Sequence, residues 1–112
     1  MAVEDAAALA EALDHATSKL HVHSVLKAFE AVRRKRSTQM QEASFINGIL
    51  WHFEDGPNQR KRDAGMKFEV EGEPFTESPN QWSDPTTQAW AYGYDAEDAV
   101  RSYLELQYME EL

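Results

Sequence analysis

The feature that most constrains the fold is an apolar stripe with helical spacing that continues through the middle of the chain for about thirty residues. An unbroken helix of that length would span on the order of 45 Å, which is long for a chain of 112 residues. Arg36 falls on the stripe itself, so a continuous helix requires it to find a carboxylate or carbonyl partner. "DGP" is expected to end the helix, and Ser24 to cap its start. The stripe consists of Val25, Phe29, Val32, Met40, Ala43, Ile46, Leu50 and Phe53.

The first segment, "MAVEDAAALAEALDHA", predicts an amphipathic helix whose apolar face is mostly alanine. Such a face packs closely against a neighbour but covers little area, so the helix needs a flat surface to lie on. Glu4 and Asp5 complement the positive end of the helix dipole. No residue ahead of the helix offers a capping side chain, and we expect the cap to belong to sequence that precedes Met1. The predicted face consists of Ala6, Leu9, Ala10, Leu13, Ala16 and Leu20.

Three shorter helices follow, and no segment has a convincing strand pattern. Pro57 and Pro85 suit first helical positions, and Asp95 with Asp98 forms a capping-box pattern before the last helix. Residues 68–83 show no regular period. The fold class is therefore predicted as mainly α, with one helical segment 1–112 divided into 1–20, 21–67 and 68–112. The predicted helices span about 2–19, 24–54, 57–66, 85–91 and 96–109.

The three tryptophans leave two interpretations open. Trp51, Trp82 and Trp90 lie in the second half, two of them beside prolines or in the irregular stretch. They suit anchors onto a partner surface, and a long irregular stretch suits an incomplete domain. The alternative is that they form an ordinary small core.

Charge and composition weigh against several function classes. A formal charge of −9 disfavours nucleic acid as a partner, and "RRKR" at 33–36 places Arg33 and Arg36 on one side of a helix and Arg34 on another, which favours dispersed ion pairs. The chain has no cysteine, no membrane-length apolar run and no basic leader, so we expect a soluble cytoplasmic protein.

No catalytic or metal motif stands out in the sequence. His21 and His23 could present two imidazoles to a metal, but no third ligand follows at a readable spacing, so solvated histidines are the better interpretation. Adjacent acids such as Glu110 and Glu111 do not face each other on a helix. We therefore assign no catalytic residue and no metal ligand.

Several stretches nevertheless resemble a known family, the FAD-dependent aromatic monooxygenases that include salicylate hydroxylase and para-hydroxybenzoate hydroxylase. "MAVEDAAALAEAL" resembles the helix that follows the second flavin-contact motif, and "SPNQWSDPTTQAWAYGYDAE" is similar to the C-terminal tail of salicylate-hydroxylase-like members. The long helix is similar to a family pattern Y-E-x-x-R-x-x-R followed by Q-x-x-S. Its counterparts here are Phe29, Glu30, Arg33, Arg36, Gln41 and Ser44.

The resemblance implies that the chain is the helical C-terminal portion of an α/β flavoprotein monooxygenase fold, in an enzyme that would hydroxylate a salicylate- or phenol-like substrate with FAD, NAD(P)H and O2. The glycine-rich FAD motifs would lie upstream, so the partners would be the N-terminal FAD and substrate domains of the same polypeptide. Met1 and Ala2 would lie, through their backbone, at the edge of the flavin contacts. The chain alone would be inactive and would not retain FAD. The alternative function is a stand-alone acidic helical interaction module without catalysis.

Overall fold

The computed structural model describes residues 1–112 and contains helices and turns but no strand. The mainly α prediction is therefore confirmed. None of the helices is both long enough and apolar enough to cross a membrane. The elements are α1 (Ala2–Asp14), a 3-10 turn (Lys19–His21), α2 (Val22–Trp51), α3 (Pro57–Gly65), α4 (Lys67–Glu71), α5 (Pro85–Tyr92) and α6 (Ala96–Glu110).

The first helix is shorter than predicted, ending at Asp14 instead of residue 19. The amide of His15 donates to the carbonyl of Ala12 at 3.2 Å, which tightens the last turn into 3-10 geometry. Thr17 and Ser18 follow, and their short polar side chains favour local hydrogen bonds over helix. Ser18 is indeed extended.

The long helix begins at Val22 and ends at Trp51, so both predicted ends are displaced. The 3-10 turn leads directly into it, and Ser24 therefore lies inside the helix and does not cap it. At its other end the amide of His52 donates to the carbonyl of Ile49, a closing 3-10 bond ahead of the "DGP" stop. Arg62 of α3 donates to the carbonyl of Leu50 at 2.9 Å and lies 5.7 Å from the Trp51 ring centroid. This arginine thereby satisfies one of the free carbonyls at the helix end.

The shorter helices start where the sequence predicts. Pro57 and Pro85 occupy the first turns of α3 and α5, and the Asp95 carboxylate accepts from the amide of Asp98 at 2.9 Å at the start of α6. The stretch 68–83 was predicted to be irregular, but its first residues belong to α4. That helix ends at Gly72, whose φ of 74° is the left-handed conformation that glycine adopts most easily.

The chain divides into two compact units, and only one of them has a buried core. Unit 1 comprises Met1–Met40 and Asp95–Leu112, and unit 2 comprises Gln41–Tyr94. In unit 1 α1 packs against α6. No residue of unit 2 is buried, so the tryptophans, all of which belong to unit 2, do not form an ordinary small core. The buried apolar residues, all in unit 1, are Ala8, Ala12, Val25, Ala28, Ala96, Val100 and Leu104.

The inward face of α1 is also not the predicted one. Ala8 and Ala12 are fully buried, whereas Leu13 is 43% exposed. Glu4 and Glu11 lie on the same stripe as the buried alanines because residues three and four apart share a helix face. Both glutamates form ion pairs with other helices. The ion pairs of these two carboxylates therefore determine which face of α1 points inward. The spacing of the apolar residues alone does not predict that face.

Candidate functional site

Two acidic residues in the first turn of α1 meet two arginines of α2. Glu4 accepts from Arg36 through both carboxylate oxygens, at 3.2 Å from Nε and 3.0 Å from Nη2. Arg33 donates through Nη2 to Glu4 at 3.1 Å and through Nε to Asp5 at 2.7 Å. We call these four residues, Glu4, Asp5, Arg33 and Arg36, the arginine–carboxylate cluster.

The guanidinium groups of this cluster are buried, whereas its carboxylates retain access to water. Arg33 is 4% and Arg36 2% exposed, against 23% for the Glu4 side chain. The hydrogen bond from Arg36 lowers the pKa of Glu4, burial opposes this, and Arg33 lowers the pKa further. Burial acts to lower the pKa of Arg33, but its bonds to Asp5 and Glu4 outweigh that effect and raise the pKa overall. The shifts in the pKa of Glu4 and of Arg33 both favour the charged form, and the cluster sets two guanidinium groups against two carboxylates.

The sequence predicted part of this arrangement. The expectation that Arg36 must find a carboxylate or carbonyl partner is confirmed, the partner being the carboxylate of Glu4, and Arg34 is exposed on a different side from Arg33 and Arg36. The identity of the partners was missed. Adjacent acids of one helix do not face each other. Arg33 nevertheless contacts both Glu4 and Asp5, because its Nε and its Nη2 are two distinct hydrogen-bond donors and each donates to a different carboxylate.

A second ion pair ties α1 to α6. Oε1 of Glu11 accepts from Arg101 Nε at 3.0 Å and lies 3.1 Å from His15 Nε2. The hydrogen bond with His15 and then the one with Arg101 lower the pKa of Glu11, against the effect of burial. Unit 1 thus fixes α1 through charged contacts near both of its ends.

The residues predicted to lie at the edge of a flavin site form the start of α1. Met1 occupies the N-cap position without a side-chain hydrogen bond, and its carbonyl accepts from the amide of Asp5 at 2.9 Å. Met1 and Ala2 are exposed. The first amides of a helix have no acceptor within it, so this end presents backbone donors and a positive partial charge.

The other candidates from the sequence form no site. His21 and His23 are exposed, and His21 pairs with the hydroxyl of Thr17 at 2.5 Å. No group of three His, Cys, Asp or Glu side chains could hold a metal ion.

Comparison with known proteins supports a relationship to FAD-dependent monooxygenases. The chain is similar to FAD-dependent monooxygenase OpS4 of Beauveria bassiana (strain ARSEF 2860), with 32% identity over 95 residues. The match covers 85% of this chain but 22% of the relative, so the chain spans about a fifth of that protein's length. No protein-family model matches the chain.

The start of α1 presents backbone amides that no side chain caps. A flavin presents hydrogen-bond acceptors at its pyrimidine edge, and uncapped helix amides are the complementary donors. Glu4 and Asp5 would by themselves place negative charge beside that edge, but Arg33 and Arg36 neutralise them. The cluster therefore leaves the positive end of the helix dipole uncancelled.

Proposed function

We propose that the chain serves as the helical C-terminal segment of a FAD-dependent monooxygenase that hydroxylates an aromatic, salicylate- or phenol-like substrate with NAD(P)H and O2. The observation that carries this proposal is the 32% identity to a FAD-dependent monooxygenase over 85% of the chain. The resemblance of the first helix and of the tryptophan-rich tail to salicylate-hydroxylase-like proteins supports the aromatic substrate class. Unit 2, which lacks buried residues, suits a segment that lies on another part of the same polypeptide.

In this role the chain contributes position and electrostatics. Bound FAD supplies electron transfer and oxygen activation. In the assembled enzyme the backbone amides at Met1 and Ala2 would donate to the pyrimidine edge, and the positive end of α1 would stabilise negative charge at that edge. Arg33 and Arg36 hold the first turn of α1 in place, and all of this can be done without a catalytic side chain in this chain.

A chimera tests the proposal directly. In it, this chain replaces the matched region of the Beauveria relative, and the purified protein is examined for flavin absorbance. We expect a yellow protein, and a folded chimera without flavin would contradict the assigned role. The substrate class is tested on the full polypeptide that carries this chain, whose NAD(P)H oxidation we expect to rise with salicylate or phenol; a rise with a non-aromatic acid instead would contradict that class.

The isolated chain provides the second arm. We expect it to purify colourless, because the glycine-rich motifs that hold FAD in the family are absent from it. A 1:1 yellow complex of the isolated chain would show that the flavin site lies within these 112 residues.

A stand-alone interaction module is the second candidate function, favoured by the partly exposed tryptophans of unit 2 and by the charge of −9. The two candidates differ in the isolated chain. A module should show a cooperative thermal transition of unit 2 with sharp near-UV signals from all three tryptophans. In a segment that needs the remainder of an enzyme, unit 2 should melt gradually and Trp82 alone should give a sharp near-UV signal.

A further inference from the structure

The loop before α5 is ordered by hydrogen bonds although unit 2 has no buried core. The Asp84 carboxylate accepts from the amide of Ser78 at 2.9 Å and from the amide of Thr87 at 3.0 Å. Ser78 and Asn80 donate from their side chains to Glu69 of α4, at 3.2 Å and 3.4 Å. These bonds join α4, the loop and α5. We call residues 78–84 the Trp82 loop.

Trp82 is held by its backbone while its side chain remains accessible. Its amide donates to Asn80 Oδ1 at 3.2 Å, and its carbonyl accepts from Gln88 Nε2 at 2.7 Å. The residue is nevertheless 54% exposed. A tryptophan whose backbone is ordered before binding loses less conformational entropy on docking, and tryptophan is enriched among the residues that dominate binding energy.

The charge around the loop indicates what kind of surface it fits. From residue 68 to the end of unit 2 at residue 94 there is no lysine or arginine, Lys67 at the start of α4 being the nearest cation before that stretch, and the segment that leads into the loop carries four glutamates. A second copy of the same face would bring like charges together, and an anionic lipid surface would be repelled. A protein surface whose apolar pocket is rimmed by lysine and arginine would be attracted. The four glutamates are Glu69, Glu71, Glu73 and Glu77.

We propose that the Trp82 loop is a preformed docking element that inserts Trp82 into an apolar, cationic-rimmed pocket on the preceding part of the same polypeptide. The identity of the occupant rests on the proposed function. The ordering of the loop and its negative charge do not rest on the proposed function, because they are properties of unit 2 itself.

Hydroxyl-radical footprinting with mass spectrometry tests the docking. The oxidation rate of Trp82 is compared between the isolated chain and the chimera with the Beauveria relative. We expect a decrease of roughly tenfold in the chimera, and a partial return toward the isolated-chain rate at high salt because exposed charges at the rim are screened. An unchanged rate in a folded chimera would overturn the proposal.

A pair of aspartate variants separates loop order from helix capping. Asp84→Ala removes the cap of α5 and frees the Trp82 loop, whereas Asp95→Ala removes the cap of α6 and leaves the loop intact. In the chimera we expect Asp84→Ala to raise Trp82 oxidation several-fold and Asp95→Ala to leave it unchanged. Equal effects of the two variants would show that loop order is irrelevant to docking.

A measurement on the isolated chain avoids dependence on the chimera. With Trp51→Phe and Trp90→Phe, the fluorescence anisotropy decay reports Trp82 alone. We expect its indole to tumble with unit 2, and Asp84→Ala to add fast independent motion. Fast motion in the parent chain would refute the preformed loop.

Other occupants give different results. Concentration-dependent protection of Trp82 in the isolated chain would assign a second copy, and protection by phosphatidylcholine vesicles would assign a lipid surface; either result overturns the proposal. Protection in a chimera without flavin supports docking while the proposed function fails. A flavin-loaded chimera in which Trp82 stays accessible supports the proposed function and overturns the docking proposal.

Discussion

Replacing Glu4 by alanine tests whether the arginine–carboxylate cluster fixes α1. The change removes both hydrogen bonds that Glu4 accepts from Arg36 and the one it accepts from Arg33. Arg36 is 2% exposed and cannot regain water without opening unit 1. Removing one partner of a buried ion pair costs about 3–5 kcal/mol, and we expect about 3 kcal/mol here because Glu4 itself is partly solvated.

Removing the arginine instead of the glutamate should lower the free energy of unfolding by less. Arg36→Met leaves Glu4 with its bond from Arg33 and with access to water, and the methionine fills part of the vacated volume. We expect a loss of about 1–2 kcal/mol, the range for a polar group that loses one partner. In the double variant the two losses should not add, since both remove the same interaction.

Urea unfolding followed by the amide NMR signals of Ala8 and Ala12 provides the measurement. All three tryptophans belong to unit 2, so tryptophan fluorescence would not report on unit 1 directly. For a small protein, with a urea slope near 1.5 kcal/mol per M, a loss of 3 kcal/mol lowers the midpoint by about 2 M. Glu30→Ala, an exposed change on α2, is the control and should alter stability by less than about 0.5 kcal/mol. Equal stability of the Glu4 and Glu30 variants would refute the reasoning.

Four further outcomes are expected, one from the pKa of Glu4 and three from helix geometry elsewhere in the chain. Because the folded-state pKa of Glu4 lies below its ordinary value of 4.5, its stabilising effect on unit 1 is complete above that pH and is lost as the pH falls through the folded-state pKa; an acid titration by NMR should show a shallower loss in Glu4→Gln. Gly48→Ala meets no atom within 4 Å and should stabilise α2 by about 0.5–1 kcal/mol, whereas Gly93→Ala would place its Cβ 2.5 Å from the carbonyl oxygen of Ala89 and should lower the thermal midpoint. Asp95→Ala should cost about 1 kcal/mol through loss of the α6 cap, measured as lower helicity on urea titration.

The sequence predicted the helices well because proline and aspartate signals mark their starts and the apolar period marks their length. It failed at the end of α1 and at α4, where weak local preferences decide the boundary. The prediction of the inward face of α1 was also wrong. It was based on the spacing of apolar residues, and that spacing carries no information about the buried arginine that Glu4 contacts. The inward position of Glu4 follows only from its contact with Arg36 of α2.

The candidate site was predictable to a different degree. That Arg36 needs a carboxylate or carbonyl partner follows from its place on an apolar stripe, because a buried guanidinium without a partner is too costly. Which carboxylate it finds depends on a contact between residues 32 positions apart, and no local pattern encodes that separation. The Trp82 loop was missed altogether, since the hydrogen bonds that order it come from α4 and α5 together.

The composition of the unit 1 core explains why ion pairs determine the rotation of α1 about its axis. Four of the seven buried apolar residues are alanines, which remove little area from water. Hydrophobic burial alone would therefore discriminate weakly between rotations of α1 about its axis, whereas a rotation that separates Glu4 from Arg36 leaves a buried charge without its main partner. If α1 faces a flavin as proposed, the same contacts have a second effect. Arginines that fix the rotation also cancel the first-turn acids, so the positive end of the helix can act on the cofactor.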